Sequence, residues 1–455
     1  MSAAIAAAEA GAKVVILDEY AKPGGQFFKC TGDEFSVAPE RLTREYARGE
    51  ALRGQLRHPN ITVLTRALVW GRFDDRIMVA HEGCSKAFRG KALVIATGAY
   101  DRPVAFPGWT LPGVVTAGGA QTLAKSQWVK PGRRMLLAGA GPFLLPVALS
   151  LLRADVSIAA LVEATRPIDW LPHFGALWGQ WPRFSEAFEY KANLRRAGVP
   201  TVYRHKIVRA LGEKKVEVAI IAKVDRDWRA IPGTERTIEV DAIAIGYGFL
   251  PNIELAAHSG CELRFDNFAR TWFAKCTDTM ATNKSGVFVA GEITGIGGSA
   301  LALEEGRIAG ISAAEFAGSL TADAAGTLRR GPIARRTRLD RFAGALNELF
   351  GPRPGLWEFL KEEMTVCRCE EVKAGDITAC IADGATTNKS IKDWTRAGMG
   401  LCEGRICRGM VGEILARERG VELSTIPFPS VRPPIKPVPF STLLQDDRQS
   451  ESIAS

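Results

Sequence analysis

Short apolar runs alternate with glycine-rich turns along this chain, and the alternation predicts a series of strand–turn–helix units. Ser2 to Ala12 (SAAIAAAEAGA) is dominated by alanine, the best helix former, and stops at Gly11. Lys13 to Leu17 (KVVIL) reads as a buried strand; Asp18 and Glu19 follow it, and Pro-Gly-Gly-Gln at Pro23 to Gln26 closes the unit. Ala92 to Gly98 (ALVIATG) is a second buried strand, ending in small residues that let backbone approach a bound molecule closely. Met135 to Ala138 runs into Gly139-Ala140-Gly141-Pro142 and an apolar helix, and the next strand, Ser157 to Val162, ends at Glu163. Asp241 to Tyr247 (DAIAIGY) is another buried strand. Gly286 to Gly298 (GVFVAGEITGIGG) combines a strand, an Ala-Gly-acid step and a glycine-rich turn, and leads into a small-residue helix from about Ala300 through Glu304, Gly306 and Arg307.

Two of these units have the order of a dinucleotide fold, in which an acid at the end of the second strand accepts hydrogen bonds from the adenosine ribose. Asp18, Glu19 and Glu163 are the candidates, against the alternative of solvated strand-end acids. Gly25, Gln26, Thr97 and Gly98 are the expected cofactor contacts in the turns, and Gly139 and Gly141 form the second phosphate-type loop. Leu144 stands at the third glycine position of that loop, where its side chain is expected to push the helix from the strand or narrow the phosphate seat. The second site is therefore left open between NAD(P), ATP and nothing. In the first unit no strand and no G-x-G-x-x-G precede the helix. The expectation is a late start or a truncated chain, with nucleotide affinity reduced.

The 455 residues exceed one ordinary domain, and a composition 46% apolar and 24% charged is that of a globular protein. The net charge of +9 is spread out, and no basic block is interleaved with aromatics, which argues against nucleic-acid binding. Met135 to Leu152 is uncharged and long enough to cross a bilayer, but Gly-Ala-Gly-Pro and Pro146 break it into a strand, a turn and a helix. With no signal peptide read at the N-terminus, the expectation is a cytoplasmic protein, with peripheral contact to the inner membrane face left open. The five histidines have no triad or metal spacing, and no substrate base is legible.

Cysteine carries the sharpest signal. Of nine, Cys30, Cys84, Cys261, Cys276 and Cys380 are scattered, which fits a reducing compartment better than a disulfide framework. The other four form C-x-C at Cys367 and Cys369 and C-x4-C at Cys402 and Cys407. A [2Fe–2S] cluster takes four thiolates, two per iron, and two close pairs meet that need. Structural zinc also accepts four cysteines, although C-x-C is tight and C-x4-C loose for it. Arg368, Lys392, Arg396, Arg405 and Arg408 surround the cysteines, and cations favour the reduced, more negative form of a cluster.

Taken in order, D-E-Y-A-K-P-G-G-Q, A-T-G-A-Y-D-R-P, F-P-G-W-T-L-P-G-V-V-T-A-G-G-A-Q, G-A-G-P-F-L-L-P, A-G-E-I-T-G-I-G-G, C-R-C-E-E-V and T-R-A-G-M-G-L-C-E-G-R-I-C resemble the α-type subunits of bacterial multi-subunit amine and imino-acid dehydrogenases. These include the larger flavoprotein components of opine oxidase and of hydrogen cyanide synthase, and the α subunit of D-hydroxyproline or proline dehydrogenases. The tail portion also resembles bacterioferritin-associated ferredoxin, apart from its last pair being C-x4-C. The resemblance implies an α/β, two-dinucleotide-binding-domain flavoprotein fold with a small C-terminal helical [2Fe–2S] domain. It implies FAD, or another adenine nucleotide, in the first site. It also implies Glu292, beside Gly291, facing the ribityl and pyrophosphate region. It implies a β subunit carrying its own FAD and the substrate pocket. It leaves room for an FMN at the subunit interface and for a further small subunit. It calls for an electron acceptor such as a quinone or a carrier. Thioredoxin-reductase-like relatives carry a redox cysteine pair where this chain has Ala117-Gly118-Gly119-Ala120, so disulfide chemistry there is not expected.

The expected organisation is a discontinuous flavin-type domain (1–107 and 238–325), an inserted NAD-type domain (108–237), an Arg-rich connector (Thr327 to Arg341), a cluster domain (346–423) and a tail (424–455). Six prolines between Pro427 and Pro439 should hold that tail extended, with Ser441 onward disordered. The expected role is electron relay from flavin to the cluster, the partner having oxidised a C–N bond of an amino acid, imino acid or opine. A self-sufficient NAD(P)H reductase and a non-catalytic scaffold are the alternatives.

Overall fold

A computed structural model describes residues 1–32, 35, 44–173, 175 and 181–444. The Ser2–Glu9 helix buries Ala4 to Ala8 against the Gly298–Phe316 helix. The approach is close because a Cβ on Gly310 would stand 2.1 Å from the Ala3 carbonyl oxygen. Gly11, at φ +87°, turns the chain into strand Val14–Leu17, which pairs in parallel with Ile61–Leu64. Strand Val287–Val289 pairs in parallel with Leu93–Ile95. Among the described residues, these two pairs share no strand.

The second nucleotide-type unit is one five-stranded parallel sheet. Its order is Thr201–Tyr203, Ser157–Glu163, Arg134–Gly139, Ala242–Gly246, Val114–Thr116. Helices Ala117–Ser126 and Leu144–Arg153 pack on one face, and the antiparallel strands His205–Leu211, Val218–Lys223 and Arg236–Glu239 cover the other. Burial on both faces is why these strands are continuous apolar runs.

Three expectations are corrected here. Strand Ala242–Gly246 lies past the expected boundary at 237 yet belongs to the inserted sheet, because its wholly buried backbone is completed by neighbours on both sides. Leu144 does not displace its helix: at 1% exposure it fills space left by Gly246, where a Cβ would meet Leu144 Cδ2 at 2.9 Å. The connector is instead part of a continuous helix, Ala322–Phe350, with Gly331 and Pro332 inside it. Ion pairs from Arg336 to Glu305 (3.1 Å), Arg335 to Glu304 (3.0 Å) and Arg329 to Glu315 hold that helix to the Gly298–Phe316 helix through the glycine–proline step.

The C-terminal unit is a two-stranded ribbon, Thr365–Cys367 with Val372–Lys373, and helices Ala374–Ala382, Asn388–Thr395 and Arg408–Arg419. Its core, with Ile377, Ile391, Met410 and Ile414, is continuous with Trp109, Trp228 and Tyr247 of the sheet unit. Trp109 Nε1 donates to the Thr365 carbonyl at 2.9 Å, and Lys206, 2% exposed, pairs with Glu358 at 2.6 Å. The proline-rich tail docks through Ile435, whose N–H donates to Trp70 and whose carbonyl accepts from Arg405. It then forms a helix at Phe440–Leu444, where disorder was expected from Ser441; the segment from 445 lies outside the described residues. Among the described residues no helix is long and apolar enough to cross a membrane.

Candidate functional site

A single cavity of about 1980 Å³ runs between the two nucleotide-type units and reaches the base of the cysteine-bearing domain. Asp18, Glu19, Gly25, Gln26, Thr97, Gly98, Gly141, Glu163, Gly291 and Glu292 all line it, together with Arg368 and Arg405. Gly139 does not. It ends its strand so close to the next one that a Cβ would lie 2.0 Å from the Gly246 carbonyl oxygen, which makes it a packing glycine.

On the first face, burial holds the Asp18 carboxyl above its usual range, and the Tyr20 N–H donating to Oδ1 at 2.9 Å partly offsets this. Glu19 is paired with Lys436 of the tail. Gly25, at φ +58°, shapes the turn that presents Gln26, whose Nε2 donates to Tyr20 Oη at 3.0 Å. Thr97 Oγ1 donates to the Asn252 carbonyl at 2.5 Å, and Asn252 N–H donates to Gly98 O at 2.9 Å, so this turn is braced from the neighbouring loop.

Across the cavity, Glu292 Oε1 accepts the Gly298 N–H at 2.7 Å, at the first turn of the Gly298–Phe316 helix. Burial, aided by nearby Glu305, pushes Glu292 up to about 7. Glu305 itself, 2% exposed, accepts the Gly291 N–H at 2.8 Å and fixes the glycine-rich turn from within the helix. Asp101, also lining the cavity, accepts the Gly118 N–H at 3.2 Å. Sequence reasoning points to neither Glu305 nor Asp101. An acid flanked by small residues carries no periodic signal of its own, and only the fold brings it to the turn it braces.

In the second unit, Glu163 is buried and faces inward. Its Oε2 accepts the Gly141 N–H at 3.1 Å, and its Oε1 accepts from Thr165 N and Oγ1 at 3.1 and 3.0 Å. Burial outweighs these donors and pushes its carboxyl from 4.5 up to about 7. A raised carboxyl binds its proton more tightly folded than unfolded, so its ionisation destabilises the fold progressively as pH rises from 4.5 to 7. Glu163→Gln cannot titrate. Its stability relative to wild type should therefore rise across that window by up to about 3 kcal/mol. Thermal unfolding of both proteins at several pH values checks this, and a difference independent of pH would contradict it.

The four cysteines stand as two close pairs. Cys369 Sγ lies 3.7 Å from Cys402 Sγ, and Cys407 donates to Cys367. That hydrogen bond, with the N–H groups of Gly398, Glu370 and Cys369, pulls Cys367 down to about 5 against the effect of burial. Among the described residues, no three Cys, His, Asp or Glu side chains converge as the ligand set of one ion. Gly400 leaves a seat beside the first pair: a Cβ there would be 2.1 Å from Cys369 Cβ. Gly398 and Gly404, at φ +89° and +80°, bring the two loops together next to Cys407. Two thiol pairs, backbone donors and a glycine-cleared seat fit a diiron cluster with two ligands per iron.

Comparison with known proteins agrees with this geometry. Residues 1–318 match the family model described as pyridine nucleotide-disulphide oxidoreductase, and residues 365–417 match the BFD-like [2Fe-2S] binding domain. The second match spans all four cysteines and favours iron–sulfur over zinc. The chain is 31% identical to hydrogen cyanide synthase subunit HcnB of Pseudomonas aeruginosa, over 97% of this chain and 95% of that protein. It is 30% identical to the A-type subunit of opine oxidase from Agrobacterium tumefaciens, over 97% of this chain and 89% of the relative. Among solved structures it is similar in fold to L-proline dehydrogenase from P. horikoshii, with a TM-score of 0.68 at 23% identity, covering 97% of this chain and 77% of that one.

Proposed function

The chain belongs to the pyridine nucleotide-disulphide oxidoreductase family and carries a BFD-like [2Fe–2S] domain, and from that premise we propose that it is the electron-transfer subunit of a heteromeric flavin-dependent dehydrogenase or oxidase. The substrate class is a compound with an oxidisable C–N bond: an amino acid, imino acid or opine. The names of the relatives support that class, since they are subunits of opine oxidase and hydrogen cyanide synthase. On this reading a partner β subunit holds the substrate pocket, an FMN lies at the subunit interface, and a quinone or small carrier takes the electrons.

The observation that carries the reading is the continuity of the cavity. One space is lined by the turns of both nucleotide-type units and by Arg368 and Arg405, which flank the cysteine pairs. Flavin supplies hydride acceptance and one-electron release when bound, and a [2Fe–2S] cluster carries single electrons. Asp18 and Glu19 are placed to meet an adenosine ribose, and the first turn of the Gly298–Phe316 helix to meet a flavin's polar edge. Arg368 and Arg405 place positive charge beside the thiolates and favour the reduced state. Among the described residues no histidine lines the cavity, which suits a relay better than a substrate-oxidising site.

Glu163, at the strand end beside the glycine turn, favours a second reading as an NAD(P)H-driven reductase. The two separate in one experiment on the anaerobic holoenzyme. A panel of amino acids, imino acids and opines should include one that bleaches the flavin absorbance, while NADH should not. Rapid bleaching by NADH alone would reverse the assignment.

A further inference from the structure

We infer that Glu254 is a positioning residue for the iron–sulfur loop, its buried carboxylate holding Arg405 and Arg408 and thereby setting the ease with which the cluster is reduced. The inference rests on the reading that the two thiol pairs hold a [2Fe–2S] cluster. Glu254 does not belong to that domain. It opens the short Glu254–His258 helix, directly after strand Phe249–Pro251 that pairs with Ala99–Asp101 beside the cavity. The side chain is nevertheless aimed into the cysteine loop and is only 3% exposed. Its Oε1 accepts from Arg408 Nη2 at 2.9 Å and lies 3.7 Å from Arg405 Nε. These two arginines bracket Cys407 in sequence.

The grouping is unequal. One carboxylate faces two guanidinium groups, so the loop keeps a net positive charge next to its cysteines. Glu254 Oε2 and Arg405 Nε are both buried without a hydrogen-bond partner. A contact that served docking alone would be expected to satisfy its buried polar atoms. The neighbouring Arg396 is 67% exposed and paired with Glu370, and Arg368 and Lys392 are also exposed. Solvent and salt screen such charges, whereas the buried triad acts through a low dielectric. Tyr100, which lines the cavity, lies within the field of Arg408, Glu254 and Arg405, so the same grouping joins the cavity wall to the cluster loop.

Reduction adds one negative charge, so removing the Glu254 carboxylate should favour it and removing a guanidinium should oppose it. The test is a redox titration of the assembled complex followed by EPR. The wild-type signal is read first, because its absence would overturn the cysteine reading and not this one. Glu254→Gln should shift the oxidised-to-reduced ratio at fixed potential about tenfold toward reduced, equal to about 59 mV for a one-electron couple. Arg408→Gln should shift it the other way, and the double variant should return to within about threefold of wild type. Glu254→Asp, which keeps the charge should the glutamine variant fold poorly, should stay within about twofold. A Glu254→Gln protein with a full EPR signal and an unmoved potential would overturn the inference. So would shifts of the same sign in both single variants, since a purely structural anchor alters stability without ordering the potentials by charge.

Discussion

Cys402→Ser is expected to abolish the EPR signal of the reduced cluster and to reduce bound iron to background. The thiol of Cys402 stands 3.7 Å from that of Cys369, and this pair supplies two of the four thiolates. A serine hydroxyl keeps the shape but is a poor, hard ligand for iron that prefers thiolate. Loss of one ligand should also remove the stabilisation that cluster binding lends to the small domain. The domain should still remain docked, because its core of Ile377, Ile391, Met410 and Ile414 is shared with Trp109 and Trp228 of the sheet unit. Cys380→Ser is the matched control: Cys380 is buried in the Ala374–Ala382 helix, away from both pairs, and its loss should leave the signal intact. Iron analysis and EPR on dithionite-reduced protein check both. A Cys402→Ser protein with an unchanged signal would refute the ligand assignment.

Gly139→Ala is expected to give the largest loss of stability of any single methyl group added to the second sheet. The new Cβ would sit 2.0 Å from the carbonyl oxygen of Gly246, on the neighbouring strand. That obstacle is backbone, so no rotamer change can relieve it; the strands must separate. The same carbonyl accepts the Ala140 N–H at 2.9 Å, and that bond would be lost with the separation. Overpacking of this kind, combined with a broken buried hydrogen bond, should cost about 3 kcal/mol or more. Gly54→Ala provides the opposite sign. Gly54 lies inside the Arg44–Gln55 helix with nothing within 4 Å of the added Cβ, so the change should stabilise by about 0.5–1 kcal/mol. Calorimetric unfolding of both variants tests the pair, and a Gly139→Ala protein as stable as wild type would show that the sheet is not packed as described.

Much of this architecture is written locally. Each buried strand is an apolar run ending in glycine, and the residues at those ends converge on one cavity because dinucleotide folds gather strand ends at one edge. The cysteine pairs are legible because spacing alone restricts what four thiols can hold. What the sequence hides is non-local. Strand Ala242–Gly246 is recognisable as a strand, but nothing within it names the sheet it joins. Leu144 looks like an obstacle because its compensation, Gly246, lies about a hundred residues further along the chain. The Gly331-Pro332 step looks like a break, yet the ion pairs to Glu304, Glu305 and Glu315 overrule it. Glu254 and Glu305 carry no motif at all. Their roles arise only where the fold aims a buried carboxylate at another segment's N–H groups or guanidinium groups.

Electron flow through the cysteine-held cluster during turnover is open to a direct measurement. Freeze-quench EPR is applied to the anaerobic holoenzyme, mixed with whichever amino-acid, imino-acid or opine substrate bleaches its flavin. The reduced-cluster signal should appear within a single turnover and no more slowly than the flavin is reoxidised. A cluster that stays oxidised while substrate is consumed would contradict the relay.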